Sequence, residues 1–540
     1  MQCVRGPDPA RELFVHRGLR SDDPRRSRGR ADQGCGAGGQ SLPDPGPHRP
    51  HRGRFPLEPD GRRLRQGRAV SPRGHGRRAA CAHRGGAGRG RRARVIDRLL
   101  EQARRHADGG ADALWRRVER TSVAFEWGRL KSAGVTEETG VNLRVRHGGR
   151  VGVAGTTAAD ASLADLVARA LASAALGEAV DLPFPPRAPL PPVPTYFDRA
   201  GEASLDHLIQ MGRGLLDRLA REGCRVNVAL ERETAETRVA NSAGAAGSYR
   251  STVIAVSADV WRIAGDDVLV LGDAFDGADL PSDAALHAIA ASINTRLDRA
   301  LTVVAPPEGA LPVVCTPAGL AALLLPVTQA LSGKAVLQGI SPLAGKVGQG
   351  GVFDAAFSLS DDATCVGRPA SRPIDDECVP SRVTRLVERG VVQRFIYDLE
   401  TAARAKAQST GHGQRGIFGK PVPGYTNVVL GPTPDGVGAR HAVPLQLGGG
   451  LLANIRDGLL VDELIGVGQG NVIGGAFSHP VALAYRVDRG EITGRVKDAA
   501  VAGNVYELWK RVGGFGNDAR WTGSRYAPSV LLEGVSVARR

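Results

Sequence analysis

The charge of this chain is concentrated where it cannot help to build a core. The 540 residues carry a formal net charge of +15, and residues 1–94 account for all of it with 23 arginines, no lysine and 8 acids. Residues 95–540 hold 48 basic and 48 acidic side chains and are neutral. The first segment, which ends "GRRLRQGRAVSPRGHGRRAACAHRGGAGRGRRAR", is rich in Arg, Gly and Pro and keeps no period of 2 or 3.6. Such a stretch cannot bury enough apolar surface to offset the entropy of ordering it. A packed fold is therefore expected only from residue 95 onward.

Three readings of residues 1–94 compete. One is a basic arm for nucleic acid. Another is an organelle transit peptide, but those are poor in acids and have an amphipathic apolar face, and this segment has neither feature. The third is a mis-called start upstream of the true one near Val95. Composition becomes ordinary within a few residues of "VIDRLLEQARRHADGG", and arginine-rich runs are what out-of-frame reading of GC-rich DNA produces. The third is the expectation here. The basic balance belongs to this segment alone, so no nucleic-acid partner is inferred for the body.

The remaining length suffices for two or three domains with sizeable cores. Its cysteines, Cys224, Cys315, Cys365 and Cys378, form no C-x-x-C pair. That argues for a reducing compartment and against a disulfide frame or a cysteine-rich zinc site. The longest apolar runs, such as "LAALLLPV" at 320–327, fall far short of the ~20 residues a membrane span needs. A soluble, cytoplasmic protein is expected, with no membrane partner.

The body divides by pattern. In 95–181, Ile96, Leu99, Leu100 and Ala103 fall on one helical face. Alternating strands follow, with "HGGR" as a hairpin turn, and then a helix capped by Asp160 or Ser162. A proline-rich linker, 182–199, must be extended. The region 200–305 holds two helices around long alternating runs. The region 306–540 is strand-rich with glycine turns. The mixture predicts an α+β fold: mixed helix and antiparallel-sheet N-terminal domains followed by a strand-rich C-terminal domain.

Candidate chemistry centres on "RPIDDECVPSRVTRLVERGVVQRFIYDLETAARAKAQSTGHG", 372–413. Asp375, Asp376 and Glu377 would repel one another unless a cation or an arginine lay close by. A solvated turn is the expected setting, ahead of a metal site. Cys378 has no histidine at a telling spacing and reads as a small packing residue. "VTRLV-ERG-VVQRF" reads as a hairpin turning at Gly390, and Asp398 as the N-cap of the next helix. Ser409, Thr410, Gly411, His412 and Gly413 form a candidate peptide-contact loop, whose backbone N–H groups can meet a peptide or a carboxylate. The plainer alternative is a surface loop whose glycines merely allow positive φ. The body's seven histidines, His106, His147, His207, His287, His412, His441 and His479, show no H-x-x-x-H pair. "GQGNVIGGAFSH" opens no helix and makes a poor phosphate loop.

Taken in order, these motifs resemble the TldD/PmbA (TldE) family of peptidases. The family carries a DDEG-type strand entry, a hairpin, an Ala- and Arg-rich helix, a TGNG-type loop and a Pro-x-x-TN strand. Here these are matched by 372–413 and "PVPGYTNVVL". The likeness extends to "ETGVNLRVRHGGRVGVAGTT" and to the run from "GLLVDELIGVGQGNVIGGAFSH" through "GNDARWTGSRYAPSVLLEGVSVA", and it covers none of 1–94. The resemblance implies more. TldD-type members hold zinc on a helix with H-E-x-x-x-H, whose glutamate activates water, and a distant cysteine joins as a ligand. Aligning "AGKVGQ" at 344–349 with the family's "AGRIGQ" and counting back puts the histidines at Leu324 and Gln329 and the glutamate at Leu325. Leucine offers no lone pair, Gln329 alone cannot hold zinc, and no cysteine follows Cys378.

The chain thus resembles the metal-free TldE/PmbA branch, with no catalytic or metal-binding residue and no cofactor of its own. The resemblance implies a heterodimer in which a TldD-type H-E-x-x-x-H subunit brings the zinc and acts on a peptide substrate. The alternatives are a stand-alone non-catalytic peptide-binding or scaffolding protein and, through the arginine-rich arm, a nucleic-acid-associated protein. Intact-mass measurement of the native protein is expected to show a start near Val95. Detection in cells of peptides from "GQSLPDPGPHR" would overturn that expectation.

Overall fold

Side chains that alternate between polar and apolar, on residues that favour extended backbone, give this protein unusually long strands. The computed structural model describes residues 86–431 and 450–540. Residues 1–85, with the readings raised for them, and His441 lie outside the described residues. Helix α1, Gly86–Arg104, crosses the compositional break, and its Ile96, Leu99, Leu100 and Ala103 are buried as their spacing predicts.

Strands β1 (Ala111–Glu126), β2 (Arg129–His147), β3 (Arg150–Thr156), β4 (Cys224–Asn241), β5 (Ala246–Ala264) and β6 (Asp267–Gly277) form one sheet in the order β3-β2-β1-β4-β5-β6. Every pairing in it is antiparallel. The "HGGR" turn joins β2 to β3 with Gly148 at φ 56° and Gly149 at φ 71°, the left-handed pair that a tight hairpin needs. Because β1 pairs with β4 as well as β2, the strands on either side of the proline-rich linker share this sheet. The linker lies along it: Asn241 Nδ2 donates to the Pro185 carbonyl at 2.8 Å and the Thr195 hydroxyl to the Arg250 carbonyl at 2.5 Å.

Three helices start on serines whose hydroxyls accept an otherwise orphaned backbone N–H. They are α2 (Leu163–Leu176) after Ser162, α3 (Leu205–Leu219) after Ser204 and α4 (Asp283–Ala300) after Ser282. Helices α1 and α2 cover Leu143 and Val145 with Leu99, Leu166, Val167 and Ala170. Helices α3 and α4 cover Val228, Leu230, Val256 and Val260 with Leu208, Leu215, Ile289 and Ile293. Each such Leu, Ile or Val stabilises by roughly 1.5–3 kcal/mol on burial.

The rest is strand-rich, and the α+β class read from the sequence holds. One sheet runs β11 (Val391–Val392), β10 (Val383–Glu388), β9 (Leu359–Asp362), β14 (Val428–Leu430), β21 (Arg525–Ala527) and β20 (Arg520–Thr522). Another runs β15 (Asp457–Leu464), β8 (Gly309–Cys315), β22 (Val530–Arg539), β18 (Ala499–Asn504), β16 (Ala476–Asp488), β17 (Glu491–Val496) and β7 (Val303–Val304), with β19 (Val512–Phe515) on β22. Strand β15 also pairs with β16, which closes five of these strands on themselves. A small ribbon joins β12 (Gly413–Gln414) to β13 (Val422–Pro423).

The β10–β11 hairpin turns on Arg389 (φ 48°) and Gly390 (φ 78°) as expected, but a bulge after Arg385 buries Leu386 and Val387 together. Helix α5 (Ala321–Ala330) follows β8 and plants Leu323, Leu324 and Val327 in a core with Phe357 and Trp509. Helix α6 (Leu399–Arg404) starts on Asp398, which exchanges hydrogen bonds with Thr401 as a capping box. Among the described residues no helix is long and apolar enough to cross a membrane.

Candidate functional site

Asp375, Asp376 and Glu377 do not sit on a solvated turn. All three are buried, Asp375 and Glu377 completely. The expectation fails because the counter-charge that three adjacent carboxylates require arrives from far away in sequence. Arg144 on β2 donates through Nη1 to Glu377 Oε1 at 2.5 Å and grips Asp112 with its other two nitrogens. Arg415 Nη1 reaches Asp112 Oδ1 at 2.7 Å and Asn142 Oδ1 at 3.1 Å. Arg116 Nη2 donates to Asp376 Oδ1 at 3.1 Å, and the Arg415 amide to Asp376 Oδ2 at 3.0 Å. The close approach needs bare backbone at Gly155, where a Cβ would lie 1.8 Å from the Ile417 carbonyl oxygen.

Asp375 turns inward instead, accepting the amides of Glu377, Val379 and Gly413 at 2.8–2.9 Å. This wrap holds Cys378 at φ 68°, a left-handed conformation that suits the glycine of the DDEG-type pattern better than a side chain. Burial pushes the Cys378 thiol up, so it packs rather than attacks. Burial, and then Asp398 and Asp375, push Glu377 up to about 8 against the pull of Arg144. Burial also tends to raise Asp376, but Arg116 and Arg372 outweigh it and hold that carboxyl below its usual range. Arg116, Arg144, Arg372 and Arg415 thus face Asp112, Asp375, Asp376, Glu377 and Asp398. One proton retained among the five carboxyls makes the cluster neutral.

The Ser409–Gly413 loop is not a surface loop either. Thr410, Gly411, His412 and Gly413 are buried and Ser409 is half-buried. His412 Nε2 meets Asp361 Oδ2 at 3.0 Å, and Nδ1 meets Thr410 Oγ1 at 2.8 Å. Thr410 Oγ1 in turn accepts the Tyr397 amide at 2.7 Å and lies 3.0 Å from the Tyr397 carbonyl oxygen. Threonine, histidine and aspartate in a row suggest a nucleophilic triad. However, the set is sealed from solvent, and the threonine oxygen is engaged by Tyr397 backbone. The loop's polar groups are spent on the fold: the Thr410 amide donates to the Tyr397 carbonyl, the Gly411 amide to the Ser409 hydroxyl and the Gly413 amide to Asp375.

An open site lies elsewhere. A cavity of about 460 Å³ is bounded by α5 and by the glycine loop between β15 and β16. Ala322, Leu325 and Pro326 give one wall, and Ile465 to Gln469, Val472, Gly475 to Pro480 and Arg540 give the others. Pro326 lacks the N–H that would bond the Ala322 carbonyl inside the helix. Tyr506 clamps the two walls, its hydroxyl 2.8 Å from the Ile473 carbonyl oxygen and 3.2 Å from that of Pro326. Gly475, at φ 79°, must be glycine twice over, since a Cβ there would also lie 2.6 Å from the Tyr506 ring. His479 stacks on Phe477 with centroids 5.6 Å apart, and burial holds its imidazole below its ordinary value.

Of the positions matched to the family's zinc motif, only Leu325 faces this cavity. Leu324 is in the core and Gln329 is exposed. The lining offers one imidazole and no side-chain carboxylate, a donor set that does not fit zinc. Among the described residues no three His, Cys, Asp or Glu side chains are grouped to hold a metal ion. None of Ser409 to Gly413 lines the cavity. Sequence reasoning passed over the glycine loop as a failed phosphate loop. The available signal was its spacing of Gly466, Gly468, Gly470 and Gly475, all at positive φ, directly after a strand.

The buried cluster makes stability depend on pH in a stated direction. An unfolded glutamate titrates near ~4.3. Between there and about 8 the folded protein binds more protons than the unfolded chain, so stability falls as pH rises, by at most ~1.4 kcal/mol per pH unit. Urea denaturation across this window is expected to show that slope in the wild type. Glu377→Gln should flatten it by about one proton's worth, and an unchanged slope would refute the assignment.

Comparison with known proteins bears on this geometry. The PmbA/TldA metallopeptidase domain 1 model matches residues 111–174, and the PmbA/TldA metallopeptidase C-terminal domain model matches 308–539. A metalloprotease TldD homolog of Haemophilus influenzae is 30 % identical over 215 residues, 39 % of this chain and 42 % of that protein. A metalloprotease PmbA homolog of the same organism is 26 % identical over 185 residues, 34 % of this chain and 36 % of that one. The chain spans less than half the length of these curated relatives. The crystal structure of TldE from Thermococcus kodakarensis superposes with TM-score 0.72 and 22 % identity, covering 82 % of this chain and all of that one. A Thermotoga maritima structure gives 0.73 and 23 %, covering 83 % and 100 %. At these identities the structures speak for the fold alone. The two domain models and the curated relatives agree, and this chain belongs to the PmbA/TldD metallopeptidase family.

Proposed function

We propose that this chain is the metal-free, TldE/PmbA-like subunit of a heterodimeric zinc metallopeptidase that degrades or processes peptides. The wall of the cavity carries this reading. On the motif match, Leu325 stands where the family has its water-activating glutamate, and the lining supplies neither two imidazoles nor a side-chain carboxylate. Peptide hydrolysis at neutral pH needs an activated water or a strong nucleophile. The thiols of Cys315, Cys365 and Cys378 are pushed up by burial, and the His412 constellation is sealed. What this chain supplies is a cleft that sets apolar walls beside the polar groups of Gln469, Ser478, His479 and Arg540, suited to holding a peptide rather than cutting it. A cytoplasmic setting fits the four unpaired cysteines among the described residues.

The test is co-expression with a family member that carries H-E-x-x-x-H. The chain alone, purified without a metal-affinity tag, is expected to release no product from casein or short peptides and to hold no stoichiometric zinc. Cleavage should appear with the partner and vanish when the partner's motif glutamate is replaced. An obligate pair typically buries more than ~2,000 Å², so the two should co-elute. Leu325→Trp, which fills the cavity, should lower turnover severalfold while co-elution persists. Chelator-insensitive cleavage by the chain alone would refute the proposal. Peptide binding with no partner would favour the stand-alone binding protein.

A further inference from the structure

Strand β2 outruns its neighbour. β3 pairs with only Val141–His147 of it, whereas β1 follows it back to Arg129. Along residues 129–138 the outer edge of β2 therefore has no strand beside it. Among the described residues no other backbone hydrogen bond satisfies it. Every residue of this stretch except Gly134 is exposed, Leu130 at 43 % and Val135 at 57 %. A free edge of this length is a template for another strand unless the sequence blocks it. A bulge and a lysine, both of which discourage pairing, coincide at Lys131, at one end. Ser132–Thr136, "SAGVT", carries no charge, no proline and no bulge.

The charges on either side of that centre have opposite sign. Arg129 and Lys131 precede it, and Glu137 and Glu138 follow it. Two of the four already have partners on the protein's own surface: Lys131 with Glu126 at 2.5 Å and Glu137 with Arg117 at 2.6 Å. An antiparallel copy of the same segment sets the basic end of each strand against the acidic end of the other and the small uncharged centres against each other. Opposite-charge cross-strand pairs stabilise and like-charge pairs destabilise. A parallel copy would set like against like.

We infer that the free edge of β2 is a self-association surface, taking the same edge of a second copy of this chain in antiparallel pairing over Leu130–Glu138, centred on Gly134, so that Lys131 of each copy faces Glu137 of the other. The contact is independent of the heterodimer proposed above, since it uses neither the cavity nor the metal motif. Sedimentation equilibrium of the full chain alone is expected to show a reversible dimer. Glu137→Lys, and separately Lys131→Glu, place like charges at both ends of the pairing and should each weaken the dimer roughly tenfold. Mixing the two variants restores opposite charges and should recover association, which a merely damaged strand would not do. A monomer at all concentrations, or a dimer unmoved by either variant, would overturn the inference. So would a charge-dependent association seen only with the H-E-x-x-x-H partner, because it would assign the edge to that interface.

Discussion

Packing four arginines against five carboxyl groups in one place is the constraint on which the rest of this structure depends. Asp112 and Arg144 lie at opposite ends of β1 and β2, yet the antiparallel register makes Asp112 and Arg144 direct partners. The acidic loop after Pro373 closes on them, and the Arg415 segment closes on both. An ion removed from water costs several kcal/mol unless its partners are in place, and breaking a buried pair typically costs ~3–5 kcal/mol. The cluster is therefore poor as a source of raw stability and good as a register. It explains why Ala111–Trp115 and Asn142–Val145 are buried on both faces while the far end of β2 stands in water.

With the first sheet and the acidic loop locked together, the strand-rich region presents its cavity from a different wall. Pro326 interrupts α5 where the helix meets the glycine loop, and Tyr506 ties both walls to one hydroxyl. The cavity is thus a built feature of the backbone, independent of whether its lining can do chemistry. On the motif match proposed for Leu324 and Leu325, this fold keeps the cleft without a donor set for metal in its lining. That is the physical basis for reading the chain as a partner in proteolysis.

Much of the local structure was legible because its causes are local. Ser162, Ser204, Ser282 and Asp398 cap helices by hydrogen bonds to residues three positions on. The glycine pair in "HGGR" makes its turn through its own φ angles. Ile96, Leu99, Leu100 and Ala103 reach the core because a helical period puts them on one side. The candidate site was not legible in the same way. Arg144 and Glu377 are 233 residues apart, and nothing in either neighbourhood names the other.

By itself, then, the sequence determined the α+β class, the capped helices and the hairpin turns. Each of these follows from residue type and short-range spacing. Only the tertiary structure decided that Asp375, Asp376 and Glu377 are buried against arginines rather than solvated. It also decided that His412 points inward to Asp361, and that the glycine loop after β15 and not Ser409–Gly413 walls the cavity. The reason is physical. Whether a charge or a loop meets water depends on which distant surface packs over it, and a one-dimensional pattern carries no record of that encounter.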